Sequence, residues 1–453
     1  MGEMAAEWDG SVENHAARGR GILLVLAAVQ FTNIVDFMIV MPLGLRLKEA
    51  MAIGPKQFSL VVASYTLSAA VAGLLAASSV DRFDRKTAFL SLYAGFLVGT
   101  LCCGLAPGYK TLLAARVLTG AFGGILGGLA MAIIADVFPE ERRGAATGAL
   151  MSAFALATVV GVPFGLVLSN RYGWNAPFLA LVGLGVCVLA VGARSLPRLR
   201  GHLYQPGHRH ASPLSEVRAV LTNPEHLKAY ALVVSLMFGG FAVIPYISMY
   251  LEANVGVAKE DLPLVYVSGG VLTLISSPLI GRLGDRYGRF QIYRVVAPLA
   301  AVLMLAMTNL PRVPLALAVA VPAVLMVGNS GRMVIAMTMV TSCVEPRRRG
   351  SFMSLNSSVQ HFSSGLGAYV AGKIIGEGPR GALTHYDRVG VLGFVMTVFS
   401  IALAARLRPY AAGPASEVEP GRDSLGVDPA PAAALEMPPT VEIDRPPSFS
   451  APG

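Results

Sequence analysis

The sequence is short of charged residues and of cysteines. Aspartate, glutamate, lysine and arginine together form 14% of the 453 residues, whereas soluble proteins carry about 25%. The four cysteines include no CxxC pair and lie within or at the end of apolar runs. They therefore predict small buried side chains and no disulfide framework. The shortage of charge argues against a soluble domain and indicates a protein of the lipid bilayer.

Motifs that bind nucleotides or carry out hydrolysis are missing as well. No GxxxxGK[ST] phosphate loop occurs, which argues against an ATP-driven step, and no HExxH or Ser/His constellation suggests an enzyme. His202, His208 and His210 lie close together without cysteine or acidic ligands, so no metal site is predicted. The net charge of +9 is spread over short loops and does not form a nucleic-acid-binding patch. We therefore expect no enzymatic activity, cofactor, metal or nucleic-acid partner.

Long apolar runs make up most of the chain, of which 54% is hydrophobic. A helix needs about 20 apolar residues to cross a ~30 Å hydrocarbon core. The first run is too long for the apolar part of a cleavable signal peptide, so we expect none. The sequence predicts an all-α membrane protein with twelve transmembrane helices, at roughly 21–45, 58–79, 87–106, 111–135, 144–169, 174–193, 228–251, 262–281, 291–310, 313–341, 351–374 and 389–407.

The distribution of basic residues predicts the orientation. With the N-terminus inside, the cytoplasmic loops carry about twice as many lysines and arginines as the opposite loops, as the positive-inside rule requires. We expect both termini in the cytoplasm of a cell whose inner membrane holds the protein. The predicted parts are an arm at 1–20, a six-helix bundle at 21–193, a linker at 194–227, a second bundle at 228–408 and a tail at 409–453, whose proline-rich, acidic composition predicts disorder.

Two charged stretches occur twice in the chain. VDRFDRK contains Asp81 and returns as GDRYGRF, in which Asp285 stands 204 residues later. PEERRGA contains Arg143 and returns as EPRRRGS, in which Arg349 stands 206 residues later. Two echoes at nearly the same offset predict a duplicated six-helix unit, and hence two pseudosymmetric bundles.

The repeated loop carries a resemblance to a known family. GRLGDRYGRF fits the pattern G-x-x-x-D-R-x-G-R-K/R, and ASSVDRFDRK fits it more loosely, because Ala77 and Asp84 replace its two glycines. Over about 21–408 the chain resembles the major facilitator superfamily. This resemblance implies secondary transport by twelve helices, driven by an ion gradient and without a cofactor.

The resemblance also implies roles for the loop charges. Asp81 is expected near the start of helix 11, and Arg85 is expected to pair with Asp136 at the end of helix 4. A carboxylate is favoured at a helix N-terminus, and such bridges would hold one side of the carrier closed. The alternative is that these charges only orient a solvated loop. The implied gate comprises Asp81, Arg82, Arg85, Asp136, Asp285, Arg286 and Arg289.

Three helices resemble the drug/proton antiporter and arabinose-efflux-type branch of the superfamily. Helix 1 contains QFTNIVDFMIVMPLG, helix 4 contains AARVLTGAFGG, and helix 5 contains VVGVPFG. The helix 5 motif, Gly161, Pro163 and Gly165, departs from the branch pattern at Val162 and Ala157. The resemblance implies proton antiport, although glycine and proline also allow close helix packing and a kink.

Charged residues inside membrane helices are rare and functional by default. Asp36 lies about 22 Å from the inner end of helix 1, and Arg116 lies about 9 Å from the outer end of helix 4, at ~1.5 Å per residue. They therefore share a depth, and we predict that they pair. Burial and Arg116 act in opposite senses on the protonation of Asp36, which makes it the predicted proton-coupling residue. The alternative is a static ion pair that braces the two helices.

Other polar residues on the predicted helices suggest a substrate cavity. Asn356 and Gln360 are four residues apart on helix 11 and share a face; interhelical hydrogen bonding is the alternative for them. Arg332 is a second intramembrane cation, for an anionic substrate or for a helix break. The predicted cavity residues are Gln30, Asn33, Tyr65, Tyr246, Asn329, Arg332, Asn356, Gln360 and His361.

These patterns favour a monomeric carrier that exports a small amphipathic organic molecule by proton antiport. Its partners would be that molecule, protons and the lipid bilayer, and alternating access would rock one bundle against the other. A symporter or sugar exporter of the same superfamily is the first alternative. A transporter-like sensor or scaffold that acts through the tail is the second.

Overall fold

The computed structural model describes residues 2–76, 83–197, 222–345 and 349–410. Asp81 and Arg82 of the predicted gate lie outside the described residues, as do the three linker histidines and the predicted tail beyond residue 410.

Twelve long helices, numbered α1–α12 in chain order, account for most of the described residues. Helix α5 consists of Glu140–Leu156 and Val162–Tyr172, joined by a π-helical turn. Helix α7 consists of Pro224–Val243 and three short segments that continue to Val255. The other long helices are α1 Gly2–Ile39, α2 Pro55–Ala76, α3 Arg85–Gly104, α4 Tyr109–Val137, α6 Ala176–Ser195, α8 Leu262–Tyr287, α9 Arg289–Thr308, α10 Leu315–Ser342, α11 Arg349–Ile374 and α12 Tyr386–Arg406.

Eleven of these helices, within the described residues, are long and apolar enough to cross a membrane. The remaining predicted span, 351–374, coincides with α11, whose amides, serines and histidine make it less apolar than the others. The prediction of an all-α chain with twelve long helices is confirmed. Helix α1 begins at Gly2 and so extends through the predicted N-terminal arm.

Short elements connect the long helices at one end of the bundle. A helix at Gly44–Met51 joins α1 to α2. The strands Gly376–Glu377 and Leu383–Thr384 pair antiparallel between α11 and α12. These elements lie at the end where the odd-numbered helices finish and the even-numbered helices begin.

Apolar side chains form clusters within each half of the chain and one cluster that joins the halves. The cluster around Leu26 and Phe89 belongs to α1–α6, and the cluster around Tyr293 belongs to α7–α12. The joining cluster contains Phe58 of α2 and Leu251 of α7 and lies towards the short connecting elements. Apolar packing therefore closes the bundle at that end.

Polar contacts reinforce this closed end, which we call the sealed face. Lys48 Nζ lies 2.8 Å from Glu377 Oε1, and Lys259 Nζ lies 3.6 Å from Glu49 Oε2. Asn170 Nδ2 donates a hydrogen bond to the carbonyl oxygen of Lys259 over 3.1 Å. Each contact joins a residue of the first half to one of the second half, so the sealed face is held shut by both charge and packing.

Helix α4 approaches α2 so closely that glycine is required at the crossing. A Cβ atom on Gly120 would overlap the carbonyl oxygen of Tyr65, and one on Gly124 would lie 2.7 Å from the Cα atom of Ala69. Backbone atoms cannot turn aside as a flexible side chain can. These two glycines therefore set the distance between α2 and α4, and with it the position of Arg116 one turn away.

We predict that Gly120→Ala destabilises the protein by about 1–3 kcal/mol, the usual cost of overpacking. The added methyl group would force α4 away from the Tyr65 carbonyl. Thermal unfolding of the purified protein in detergent, followed by circular dichroism, measures the effect. Gly183→Ala is the matched control, because Gly183 is also in a membrane helix and a Cβ atom there would have no neighbouring atom within 4 Å. Equal unfolding midpoints for the two variants would contradict the prediction.

Candidate functional site

A buried ion pair joins α1 to α4. Arg116 Nη1 lies 2.7 Å from Asp36 Oδ2, and the exposed fractions of the two side chains are 1% and 0%. The other carboxylate oxygen accepts a hydrogen bond of 3.2 Å from the Thr100 hydroxyl of α3. The structure thus contains the contact that the sequence predicts from helix depth, and it adds a third helix to it.

The guanidinium group of Arg116 also packs against α2. Its Cζ atom lies 4.5 Å from the centre of the Tyr65 ring, a cation–π arrangement. The Tyr65 hydroxyl donates to Asn33 Oδ1 over 2.7 Å, and Asn33 Nδ2 donates to the carbonyl oxygen of Gly123 over 3.0 Å. We call Asp36, Thr100, Arg116, Tyr65 and Asn33 the polar cluster. It connects four helices of the first half through charge and hydrogen bonds.

Thr100 and Gly123 are members of this arrangement that the sequence does not reveal. Thr100 stands in an apolar run, and its hydroxyl also donates to the carbonyl oxygen of Phe96 over 3.0 Å. Threonine in a helix makes that local bond regardless of function, so the residue type carries no signal. Gly123 is needed because a Cβ atom there would lie 2.6 Å from the Tyr65 hydroxyl.

A cavity of about 180 Å³ lies between the two halves, beside the polar cluster. Gln30, Asn33 and Tyr65 line it from the first half, and Ser357 and His361 line it from α11. The glycines of α4, which have no side chains, form another part of its wall. Four of the nine predicted cavity residues therefore meet around one space.

The cavity and the ion pair share two residues. Asn33 and Tyr65 line the cavity, and the Tyr65 ring covers Arg116. Gln30 Oε1 is buried without a hydrogen-bond partner among the described residues, so it is available to a bound molecule. At 180 Å³ the space is smaller than the 300–1,000 Å³ typical of drug-sized ligands. A drug-sized ligand would therefore fit only in a conformation in which the two halves lie further apart.

Five predicted cavity residues lie away from this space. Asn356 and Gln360 do share a face, but that face meets α10, where their amide nitrogens lie 3.8 and 3.9 Å from Met337 Sδ. The Tyr246 hydroxyl donates to the carbonyl oxygen of Pro55 over 3.3 Å within the sealed face. The spacing of residues along a helix predicts which of them share a face, but it does not predict which neighbouring helix that face contacts. The residues outside the cavity wall are Tyr246, Asn329, Arg332, Asn356 and Gln360.

Arg332 is buried in the second half without an acidic partner. Its exposed fraction is 3%, and Nη1 donates to the Thr397 hydroxyl of α12 over 2.6 Å. A Cβ atom on Gly240 of α7 would lie 3.2 Å from Nη2. No carboxylate of the described residues lies within ion-pair distance of it. Arg332 therefore differs from Arg116, whose charge is balanced by Asp36.

The loop charges of the predicted gate make different contacts in the two halves. Arg85 Nε lies 3.2 Å from Asp136 Oδ2, the pairing that the family resemblance implies. Arg289 Nη1 instead donates to the carbonyl oxygen of Thr338 over 3.1 Å. At the repeat offset of 206 from Asp136, the second half has Ser342, which cannot form an ion pair.

The remaining described gate residues make local contacts. Arg289 Nε lies 3.9 Å from Asp285 Oδ1, and the Arg286 guanidinium lies 5.4 Å from the centre of the Tyr287 ring. Asp84, which replaces a glycine of the loop motif, accepts bonds of 2.9 and 3.2 Å from the backbone nitrogens of Lys86 and Thr87. It thus caps the N-terminus of α3, a role for which aspartate is well suited.

The helix 5 motif packs α5 against α1 on either side of Asp36. A Cβ atom on Gly161 would overlap Val35 Cγ2, and one on Gly165 would lie 2.6 Å from Ile39 Cδ1. Pro163 follows the π-helical turn at Ala157–Gly161, where helical hydrogen bonding is already altered. The motif therefore has a direct structural effect: it holds the segment of α1 that carries Asp36.

Comparison with known proteins identifies the family. The model of the Major Facilitator Superfamily matches residues 26–368 and 229–447. The chain belongs to this superfamily. It is 27% identical over 354 residues to the inner membrane transport protein YdhP of Escherichia coli (strain K12), a match that covers 77% of this chain and 87% of that protein. It is 25% identical over 360 residues to the uncharacterized MFS-type transporter YbcL of Bacillus subtilis (strain 168), a match that covers 78% of this chain and 85% of that protein.

Solved structures of the superfamily share the fold. A bacterial homolog of the human lysosomal transporter Spinster, inward-facing and unoccupied, matches with a TM-score of 0.70 at 18% identity, over 87% of this chain and 99% of that chain. A D-xylose-proton symporter matches with a TM-score of 0.71 at 14% identity, over 86% of this chain and 98% of that chain. The chain is a multi-pass membrane protein and a secondary transporter. Members of its superfamily are carriers, which are not enzymes and need no cofactor.

We predict that the charges of Asp36 and Arg116 depend on each other for stability. Arg116→Met leaves a buried carboxylate without its partner and should cost about 3–5 kcal/mol, whereas removing both charges of a buried pair is far less costly. Asp36→Asn combined with Arg116→Met should therefore be more stable than Arg116→Met alone. Thermal unfolding in detergent, as a double-mutant cycle, measures this coupling.

Arg171→Met is the matched control for the cycle, because Arg171 is exposed at the end of α5. It should unfold at the midpoint of the unchanged protein. Additive effects of the two substitutions at Asp36 and Arg116 would show that the charges are not coupled.

Proposed function

We propose that the protein exports a small amphipathic organic molecule from the cytoplasm in exchange for protons. Asp36 is the proton-binding residue, and Arg116 is its counter-ion. The observation that carries this proposal is the continuous path from the buried pair, through the Tyr65 ring and Asn33, to a cavity between the halves. A change at the carboxylate and a change in the cavity therefore act on the same two side chains.

The proposed orientation places the sealed face outside the cell. The loops at the other face carry about twice as many lysines and arginines, which favours the cytoplasmic side for them. The structure then corresponds to a state closed to the outside, and the solved bacterial homolog of Spinster, similar in fold, is inward-facing. In this proposal the protein acts as a monomer in the inner membrane with both termini in the cytoplasm.

Protonation of Asp36 would release Arg116 from its partner. A neutral acid attracts a guanidinium group only weakly, so Arg116 would then depend mainly on the Tyr65 ring for its contacts. Because Tyr65 also lines the cavity, a bound substrate that displaces its ring would in turn alter Arg116. Proton and substrate would thus compete for one arrangement of the polar cluster, and this competition is the basis of antiport.

The gate residues of the cytoplasmic loops complete the proposed cycle. The ion pair of Arg85 and Asp136 joins the start of α3 to the end of α4. A movement of α4 with Arg116 would therefore also move the loop that precedes α3. Arg289 holds the carbonyl oxygen of Thr338 on α10 in the equivalent place. We propose that these loops, with Asp81, Arg82, Asp285 and Arg286, close the cytoplasmic side in the alternate state.

The drug/proton antiporter branch is the proposed relationship within the superfamily. The helix 5 motif supports it, because Gly161 and Gly165 set α5 directly against the segment of α1 that carries Asp36. The cavity supports an amphipathic substrate, since it combines the Phe37 and Tyr65 rings with the amides of Gln30 and Asn33.

Substrate-induced proton movement in proteoliposomes tests the proposal. Tetraphenylphosphonium, ethidium, norfloxacin and L-arabinose would each be added to vesicles that contain a pH-sensitive dye. We expect at least one amphipathic compound to cause proton movement in the direction opposite to its own. Asp36→Asn should abolish this movement, because its side chain cannot be ionised.

The matched control is Asp387→Asn, since Asp387 is an exposed acid at the start of α12. It should keep the proton movement of the unchanged protein. Movement of protons and compound in the same direction would make the protein a symporter. Full proton coupling in Asp36→Asn would remove Asp36 from the proposed role.

A further inference from the structure

A second buried carboxylate lies in the sealed face, at the end of α7 in the second half of the chain. Glu252 belongs to the last segment of α7, Leu251–Val255. Both of its carboxylate oxygens are buried, and neither has a hydrogen-bond partner among the described residues. Asp36, by contrast, is bonded to Arg116 and Thr100. An ionised carboxylate is costly in such a place unless it is paired and hydrogen-bonded.

Four charged groups lie near enough to Glu252 to act on its charge, and they come from both halves of the chain. Arg46 and Glu49 belong to the short helix Gly44–Met51, and Lys259 and Glu260 follow α7. We call these five residues the sealed-face cluster. With Glu252 it contains three acids and two cations, so one acid has no cation to balance it.

The two cations of this cluster have other partners. Lys259 pairs with Glu49 at 3.6 Å. Arg46 Nη2 donates to Asn170 Oδ1 over 2.5 Å, while Arg46 Nη1 is buried without a partner among the described residues. Neither cation lies within ion-pair distance of Glu252. The geometry of the closed state therefore does not provide the contacts that an ionised Glu252 needs.

Protons can reach the cluster from the sealed face. A cavity of about 420 Å³ adjoins it, lined by Arg46, Glu49, Lys259 and Glu260 together with Asn170 and Trp174. Glu49, Lys259 and Glu260 are exposed at its rim. Close to Glu252 in the chain, α7 packs tightly on the short helix, because a Cβ atom on Gly44 would lie 2.7 Å from Met249 Cγ. Separation of α7 from the short helix would open this part of the sealed face.

We propose that Glu252 is a second proton-binding site and that the sealed face closes only when this carboxyl is neutral. In the open state, Glu252 is hydrated and ionised. Closure removes it from water without supplying a partner, so closure takes up a proton. The proton dependence of closure does not require Asp36. If the sealed face is on the outside, as in the proposed orientation, this proton comes from outside the cell.

In the competing arrangement, Glu252 is ionised in the closed state and is attracted to Arg46 across the cluster. The two arrangements predict opposite effects of Glu252→Gln on closure. If the closed state holds a neutral carboxyl, Glu252→Gln mimics it and favours closure at every pH. If the closed state holds a carboxylate balanced by Arg46, the same substitution removes an attraction and favours opening. The direction of the change therefore decides between them.

The test measures the distance between two spin labels at the sealed face by pulsed electron paramagnetic resonance. Labels at Lys110→Cys and Arg312→Cys report on the first and second halves, and both positions are exposed. The background replaces the four native cysteines and carries Asp36→Asn with Arg116→Met, so that titration of Asp36 cannot contribute and no buried charge is left without its partner. Distances are recorded in detergent and in proteoliposomes between about pH 5 and pH 9. The upper end of this range lies well above the usual pKa of a glutamate side chain.

We expect the open population to grow with pH in this background. Glu252→Gln should remain closed over the whole pH range. At high pH its open population should be about threefold or more below that of the background protein. Glu252→Met, a second neutral replacement, should behave in the same way. Glu260→Gln is the matched control, because Glu260 is an exposed acid of the same cluster, and its titration should follow the background.

Two results would overturn the proposal. One is a Glu252→Gln variant that titrates like the background or shows no difference from it at any pH. The other is a Glu252→Gln variant that opens. Because the background already lacks Asp36, failure of the antiport proposal would leave these distance changes intact, and failure of the present proposal would leave Asp36-dependent transport intact.

Discussion

The buried pair of Asp36 and Arg116 is the constraint around which the first half is built. Two opposite charges in the membrane interior are tolerated only when each is close to the other and the remaining polar atoms are bonded. Thr100 supplies one such bond, and the Tyr65 ring covers the guanidinium group. The glycines at the helix crossings then become necessary, because a displacement of α4 or α1 by the width of a methyl group would separate the charges.

The two halves have kept their helices but not their charges. Helix α4 has Arg116 balanced by an acid, whereas α10 has Arg332 bonded only to a hydroxyl among the described residues. The loop arginines Arg85 and Arg289 contact α4 and α10, respectively. Arg85 meets a carboxylate there, whereas Arg289 meets a carbonyl oxygen. A duplicated unit that diverges in this way can divide its tasks, and this difference supports the proposal that protons bind at the centre of the first half.

The success of sequence reasoning here follows from what helix geometry fixes. Rise per residue gives depth, so the proximity of Asp36 and Arg116 was predictable without any packing. Rotation about the helix axis is set by neighbouring helices, so the sequence could place Asn356 and Gln360 on one face but could not show that this face meets Met337. Glu252 was not predicted to be buried, because the span was predicted to end at 251. The turn Leu251–Val255 extends the helix, so the carboxylate lies within the sealed face.

Under the proposed function, the two carboxyl groups have different consequences for the transport cycle. The intact pair of Asp36 with Arg116 and the small cavity together correspond to a carrier that has released its proton to the cytoplasm and has not yet bound a substrate. Asp36 takes its proton from one side and gives it up on the other, so it contributes to the exchange ratio. Glu252 lies in the sealed face in this state, so under the second proposal it takes its proton from the sealed side and returns it to the same side when that face reopens. Such a proton controls when the sealed face closes, and it adds nothing to the number of protons exchanged for each substrate molecule.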